Sequence, residues 1–321
     1  MSDPPDAGTD GGAAAHTDSS ADPAGHSTGN DPTGGGRDPD DTGTGTVDSV
    51  GARPSDGPGG GSALRAVGAA FGLGILGILV LLAVATVVGG AVFLVATITG
   101  QQPSLAVSFV LPFVMSQIVA FLGVGLAYLR WRGFDRRDIV EYLGLRRPSA
   151  LEFVIGVFGP VVVLFTALTV GSIVLLFAPE PAQNQGAQTA LENPSIIPIM
   201  IAAMLLVVGP CEEFLFRGVI QNRARETFSA APAIFLAAAV FAPLHVVSLA
   251  GGLTAMLTTV SILFVPALIF GAVYEYTGNL VVVALMHGLY NSFLLTIGYI
   301  AITYGPELEE SAQAGAALLG L

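Results

Sequence analysis

Residues 196–220 read IIPIMIAAMLLVVGPCEEFLFRGVI, an apolar run with ionisable side chains near its end. A transmembrane helix needs about 20 predominantly apolar residues, so this run is long enough to cross a membrane. Glu212, Glu213 and Arg217 interrupt it. An ionisable group inside a span costs about 3 kcal/mol on insertion scales, so such residues are candidates for function. The run therefore predicts a membrane-spanning helix that carries a functional site.

Similar apolar runs fill most of the chain after its first 62 residues. The first run fits either one tilted helix or a helix broken near Gly89 and Gly90, which leaves an eighth span open. The composition, 52% hydrophobic and 11% charged, agrees with membrane residence. We predict an all-α, polytopic transmembrane helix bundle of about seven spans. The predicted spans are 66–98, 105–129, 151–177, 196–220, 230–249, 254–275 and 280–304.

The first 62 residues differ in composition from the rest of the chain. They are rich in Gly, Asp, Pro, Ser and Thr and have almost no large apolar side chains, so they cannot bury enough surface to fold. We predict a disordered acidic tail at 1–62 and the transmembrane bundle at 63–321. The net charge of -12 argues against a nucleic-acid partner. The single cysteine, Cys211, excludes an intramolecular disulfide and a multi-thiolate zinc site.

Arginine placement predicts the orientation of the bundle. Loops rich in basic residues stay in the cytoplasm, and the segment between the second and third predicted spans holds six arginines. Arg223 and Arg225, after the fourth span, fall on the same side. The sequence therefore predicts a multi-pass protein of the cell membrane with a cytoplasmic N-terminus. The six arginines are Arg130, Arg132, Arg136, Arg137, Arg146 and Arg147.

Helical spacing assigns different roles to the polar residues of the spans. Glu213 and Arg217 are four residues apart, so they share a helix face and can form an ion pair. Glu212 points about 100° away, which leaves it as a free carboxylate that can act on water. His287 and Asn291 are also four apart, so imidazole and amide project from one face. These groups predict a site at which several polar side chains converge.

The fourth and fifth spans are expected to form an antiparallel hairpin that brings Glu212 and His245 level. If the chain turns near Phe228, both residues lie about 25 Å from the turn at 1.5 Å per residue. Pro243 is expected to kink the fifth span close to His245. Taken singly, each of these residues could be a packing or interhelical contact. Their concentration on three helices favours a functional site.

Three motifs resemble those of one protein family. They are Glu-Glu-x-x-Phe-Arg from Glu212 to Arg217, Phe-x-x-x-His from Phe241 to His245, and His-x-x-x-Asn from His287 to Asn291. Their order and their placement in apolar helices resemble the CPBP family, the CAAX-processing, bacteriocin-processing and ABI-like intramembrane proteases. The resemblance covers about residues 195–295.

The resemblance implies an intramembrane endopeptidase and a role for each matching residue. Glu212 and His245 would activate the attacking water, and His287 and Asn291 would stabilise the oxyanion. Glu213, Arg217 and Phe241 would support them. The substrates would be membrane-associated polypeptides, including lipidated, CAAX-like ones, cut near the cytoplasmic face. The implied partners are the lipid bilayer and an unidentified polypeptide substrate.

The metal dependence of such an enzyme stays open at this point. Glu212, His245 and His287 have the side chains of a catalytic zinc site, so Zn²⁺ or another divalent metal is one reading, although the chain has no His-Glu-x-x-His motif. The enzyme would then be a metalloprotease, and otherwise a glutamate-type endopeptidase. No other cofactor is indicated. Two alternatives to an enzyme are a non-catalytic binding or immunity-type membrane protein and a proton or solute pathway.

Overall fold

A computed structural model describes residues 60–178 and 180–319, with side chains for 62–178 and 180–305. The predicted tail at 1–62 lies outside the described residues apart from its last three positions, where the first helix begins. The elements in chain order are α1 (Gly60–Thr99), α2 (Ala106–Trp131), α3 (Arg136–Tyr142), α4 (Ala150–Leu175), β1 (Gln183–Asn184), α5 (Gln185–Glu192), α6 (Pro194–Arg225), α7 (Ala230–Ser248), β2 (Leu249–Ala250), α8 (Leu253–Thr277) and α9 (Leu280–Leu319).

Seven helices of the described chain are long and apolar enough to cross a membrane: α1, α2, α4, α6, α7, α8 and α9. This confirms the predicted fold class. The alternative of a break near Gly89 and Gly90 is wrong, because α1 is one continuous α-helix that runs through both glycines. The last helix continues past the predicted end at residue 304.

The helix boundaries follow from local side-chain chemistry. The Ser149 side chain accepts a hydrogen bond from the Glu152 backbone N–H, and the Glu152 carboxylate accepts one from the Ser149 N–H, so this capping box starts α4. Asp135 and Asp138 form the same arrangement at the start of α3. Gly278 ends α8 at a φ of 56°, a left-handed conformation that favours glycine.

Two of the spans contain wider π-helical turns, in which backbone N–H groups bond five residues back. These turns are Ala106–Val110 and Ile118–Gly123 in α2, and Met204–Val208 and Phe214–Gln221 in α6. Every residue of the last segment is buried. This part of α6 therefore lies inside the bundle, whereas apolar side chains such as Phe93 and Phe165 are exposed on other helices, where lipid would cover them.

The hairpin predicted at Phe228 is confirmed, because α6 ends at Arg225 and α7 begins at Ala230. Glu226, at its tip, accepts hydrogen bonds from the Arg132 guanidinium at 2.7 and 3.0 Å and from the Tyr142 hydroxyl at 2.8 Å. These contacts tie the hairpin tip to the arginine-rich segment that contains α3.

Helices α6 and α9 are in backbone contact where the site lies. A Cβ added at Gly209 would lie 2.7 Å from the Ala284 carbonyl oxygen and 2.8 Å from the Gly288 nitrogen. One added at Gly288 would lie 2.9 Å from the Leu205 Cα. Small residues allow such close approach of membrane helices. The contact brings the two glutamates of α6 within reach of His287.

Candidate active site

Glu213 is the centre of a buried polar cluster. Its Oε1 accepts a hydrogen bond from Arg217 Nη1 at 2.9 Å, which is the ion pair that the spacing predicted. The same oxygen lies 2.7 Å from His287 Nδ1. Arg217 Nη2 also donates to the Ala267 carbonyl at 2.9 Å. Both partners of the ion pair have no exposed side-chain surface, so each charge depends on these contacts.

His287 lies between the two glutamates. A carboxylate only accepts hydrogen bonds, so His287 Nδ1 carries the proton that it shares with Glu213, and Nε2 is left to face Glu212. Glu212 Oε2 lies 3.9 Å from that nitrogen, too far for a direct hydrogen bond. Glu212 makes no hydrogen bond with any described residue, as expected for the free carboxylate of the pair.

His245 occupies the end of α7, at the start of its final 3-10 turn. The side chain is half-buried, and its Nδ1 lies 3.1 Å from the Phe241 carbonyl oxygen. Because a carbonyl can only accept, Nδ1 carries a proton and Nε2 is an acceptor in the neutral ring. His245 forms no ion pair with Glu212 within 4.0 Å.

Phe241 connects the two histidines. Its ring centroid lies 4.6 Å from that of His245 and 5.9 Å from that of His287, both edge-to-face. The Arg217 guanidinium lies 4.8 Å from the same centroid. Phe241 was predicted as a supporting residue, and its ring contacts His245 on one side and the buried His287 and Arg217 on the other.

Asn291 lies one helical turn beyond His287 on the same continuous helix and is half-buried. Its side chain makes no hydrogen bond with any described residue. The helix therefore keeps imidazole and amide on neighbouring turns, as the spacing predicted.

Phe270 belongs to the cluster although the sequence did not single it out. Its ring stacks on His287 with centroids 4.8 Å apart and an interplanar angle of 24°, and the Arg217 guanidinium lies 5.7 Å away. An apolar residue in an apolar span carries no sign of such a role. Only the packing of α8 against α6 and α9 reveals it.

Two polar atoms of the cluster are buried without a partner, Glu213 Oε2 and Arg217 Nε. An unpaired buried polar atom usually costs about 1–3 kcal/mol, and such atoms are few in native proteins. The cluster is thus held at some cost to the stability of the bundle.

An apolar cavity of about 500 Å³ adjoins α6. Cys211, next to Glu212 in sequence, is one of the residues that line it. The lining comes from α2, α6, α9 and the segment before α4: Ile118, Leu122, Leu145, Leu205, Leu206, Val207, Pro210, Cys211, Phe214, Leu280, Val281, Ala284 and Leu285.

The ligands considered for a metal do not converge. In the part of the chain that the structure describes, no three His, Cys, Asp or Glu side chains are grouped so that they could hold a metal ion. Glu212, His245 and His287 therefore do not form a metal-binding group. His287 Nδ1 is instead hydrogen-bonded to Glu213.

The fold and the cluster define a multi-pass helical membrane protein with ionisable groups enclosed between its spans. Residues 194–293 match the family model described as type II CAAX prenyl endopeptidase Rce1-like. That segment contains every residue of the cluster. The match confirms the predicted resemblance and supports membership of the CPBP family, which implies an intramembrane protease of the CAAX endopeptidase type. No curated protein and no solved structure matches the chain.

Proposed function

We propose that the protein is a glutamate-type intramembrane endopeptidase in which Glu212 activates the attacking water. The observation that carries this proposal is that the two neighbouring glutamates have different contacts. Glu213 is occupied by Arg217 and His287, whereas the neighbouring Glu212 carboxylate has no direct partner and faces His287 Nε2 at 3.9 Å. A buried carboxylate without a partner is costly, so its persistence suggests a role in chemistry.

The reaction that fits these groups is direct hydrolysis of a peptide bond. Glu212 takes a proton from water while His245 Nε2 accepts a hydrogen bond from the same water, and the resulting hydroxide attacks the scissile carbonyl carbon. Glu212 then passes the proton to the leaving amine, so that the protons balance. The Asn291 amide donates a hydrogen bond to the oxyanion, and His287 donates a second one from Nε2, with a proton that the ring takes up from solvent before the reaction and keeps throughout.

The apolar cavity supports the proposal that the substrate is membrane-associated. Its lining is almost wholly hydrocarbon, and Cys211 places it beside Glu212 in the chain. An apolar segment or a lipid group of the substrate would bury its surface there, since burial is favourable by about 25 cal/mol per Å². We propose lipidated, CAAX-like polypeptides as one such class.

We also propose that the arginine-rich segment faces the cytoplasm. The support is the contact of this segment with the hairpin tip, which puts the exposed Arg130, Arg136 and Arg137 on the same side as Arg223 and Arg225. Basic residues concentrate on the cytoplasmic side of membrane proteins.

Cleavage of membrane peptides by purified protein in lipid vesicles tests the proposal. The panel includes peptides with and without a lipidated C-terminal cysteine. We expect Glu212→Gln to lower kcat by about 10³-fold, because an amide cannot accept the proton of water. Glu192→Gln makes the same chemical change on the exposed surface of α5 and should cleave like the wild type.

Full cleavage by Glu212→Gln would overturn the assignment of the base. No cleavage of any peptide by the wild type would favour a binding protein. Loss of activity with a chelator, restored by added Zn²⁺, would contradict the glutamate-type mechanism.

A further inference from the structure

Residues 182–185, here called the strap, cross the end of α7 that carries His245. The strap contains β1, which pairs antiparallel with β2, with Gln183 opposite Ala250 and Asn184 opposite Leu249. These are the only strands in the part of the chain that the structure describes. The strap ends at Gln185, the first residue of α5, and it precedes α6, whereas β2 directly follows the last turn of α7. The β1–β2 pair therefore links the segment before α6, the helix of Glu212 and Glu213, to the segment after α7, the helix of His245.

A continuous series of hydrogen bonds leads from the strap to His245. Asn184 Nδ2 donates to Ser248 Oγ at 3.3 Å, and the Ser248 hydroxyl donates to the His245 carbonyl at 2.9 Å. A hydroxyl can accept one hydrogen bond while it donates another, so both contacts are compatible. Asn184 Oδ1 also accepts from the Ala187 N–H at 2.9 Å, which fixes the start of α5. Asn184 thus uses both ends of its amide.

Further contacts hold the strap against its neighbours. Gln185 Nε2 donates to the Leu249 carbonyl at 3.3 Å. The Ala182 N–H donates to the Ala255 carbonyl at 3.2 Å, and the Thr259 hydroxyl lies 3.2 Å from the Ala182 carbonyl oxygen. The strap is therefore hydrogen-bonded to α8 as well as to β2. These bonds fix the position of the strap beside the end of α7.

The backbone at His245 needs such support. Helix α7 ends in a 3-10 turn, after which Leu249 is extended, and the Leu249 N–H bonds to Val246 rather than to His245. The 3-10 turn pairs the His245 carbonyl with the Ser248 N–H, and the Ser248 hydroxyl donates to the same carbonyl at 2.9 Å. A single 3-10 turn has few hydrogen bonds and poor hydrogen-bond geometry, so contacts from outside the helix stabilise it. A frayed turn would move the imidazole.

We propose that Asn184 and Ser248 are positioning residues that hold His245 in place for the reaction with water. This inference rests on the proposed function. The two residues act through the His245 backbone and touch neither glutamate. Their loss should therefore lower the rate of the chemical step and leave substrate binding unchanged.

The test compares Asn184→Ala and Ser248→Ala with matched controls, as full-length protein in lipid vesicles. Asn193→Ala removes an asparagine at the other end of α5, where its amide bonds to Thr189. Ser261→Ala removes a hydroxyl that bonds to the Leu257 carbonyl within α8. Ser248→Thr keeps the hydroxyl and should rescue. We expect kcat to fall about tenfold in the two strap variants at unchanged KM, because small misplacements of a reacting group are costly.

A second measurement does not depend on cleavage. Modification of His245 by diethyl pyrocarbonate, followed by peptide mass mapping, reports how firmly the half-buried ring is held. We expect faster modification in Asn184→Ala and Ser248→Ala than in wild type, Ser248→Thr and the controls. If the wild type cleaves no peptide, the proposed function fails while this measurement still decides the role of the strap.

Equal kcat and equal modification rates in the strap variants and the controls would overturn the inference. If Ser248→Ala does not fold, Asn184→Ala and Ser248→Thr decide it, because Asn184 is exposed and threonine preserves the hydroxyl. A larger KM with an unchanged kcat would also overturn it, since that result would assign the strap to substrate binding.

Discussion

The buried half of the candidate site and the half that carries His245 are held in different ways. Glu213, Arg217 and His287 are enclosed between helices in backbone contact, and ionic hydrogen bonds connect them. His245 is half-buried at the end of the short helix α7, where it is supported by the Phe241 carbonyl and, through its backbone, by Ser248. Damage to the first half should therefore unfold the bundle, whereas damage to the second should change geometry at small cost in stability.

The largest expected effect comes from breaking the buried ion pair. We expect Arg217→Leu to lower the free energy of unfolding by about 3–5 kcal/mol, because the Glu213 carboxylate would remain buried without its guanidinium. Arg225→Leu is the control: Arg225 pairs with Glu275 at 2.8 Å, but both side chains are about 30% exposed, so about 1 kcal/mol or less is expected. Denaturation by SDS titration in mixed micelles measures both. Equal losses would contradict the expectation that the buried ion pair stabilises the bundle more than a partly exposed pair does.

The next effect comes from separating α6 and α9. Alanine at Gly209 would place its Cβ against the Ala284 carbonyl and the Gly288 nitrogen, and both are backbone atoms that cannot rotate away. We expect a loss of about 1–3 kcal/mol, together with weaker cleavage, because His287 would move from the glutamates. Gly89→Ala, where nothing lies within 4 Å, should leave the protein as stable or stabilise it slightly. A Gly209→Ala protein as stable and active as Gly89→Ala would refute the role of this contact.

The smallest effect on stability is expected where the two halves meet. Phe241→Leu removes ring contacts to His245, His287 and Arg217, which are worth about 1 kcal/mol. We expect a lower kcat because His245 would lose its link to the buried half. Phe235→Leu, on the same helix but 58% exposed, is the control for loss of an aromatic ring. Comparison of kcat and thermal unfolding for the two variants measures the link, and identical kcat values would show that Phe241 does not couple the histidines.

Features of the site that depend on local spacing could be predicted from the sequence. The Glu213 and Arg217 pair follows from a separation of four residues, and it survives although the helix widens into a π-turn at Phe214. The seven spans follow from apolar length, and the hairpin turn follows from the polar residues after the fourth span. In each case the chemistry is contained in a short stretch of chain.

Features that depend on packing between distant helices could not be predicted. Hairpin register suggested that Glu212 would meet His245, whereas the contacts in the structure run through His287 and Phe241. The contact between Glu213 and His287 requires α6 and α9 to approach at Gly209 and Gly288, and glycine in an apolar run does not reveal its partner. The β1–β2 pairing was missed because each strand has only two residues.

Helix α1 is longer than the bilayer core is thick, and it packs against the helix that carries His245. Its 40 residues rise about 60 Å, roughly twice the thickness of a hydrocarbon core, and even a 40° tilt leaves about 46 Å along the membrane normal. A change in bilayer thickness would therefore change the preferred tilt of α1. Gly74 of this helix packs directly on Val240 and Leu244 of α7, one residue before His245. We therefore expect the thickness of the surrounding lipid to influence the position of the helix end that carries His245.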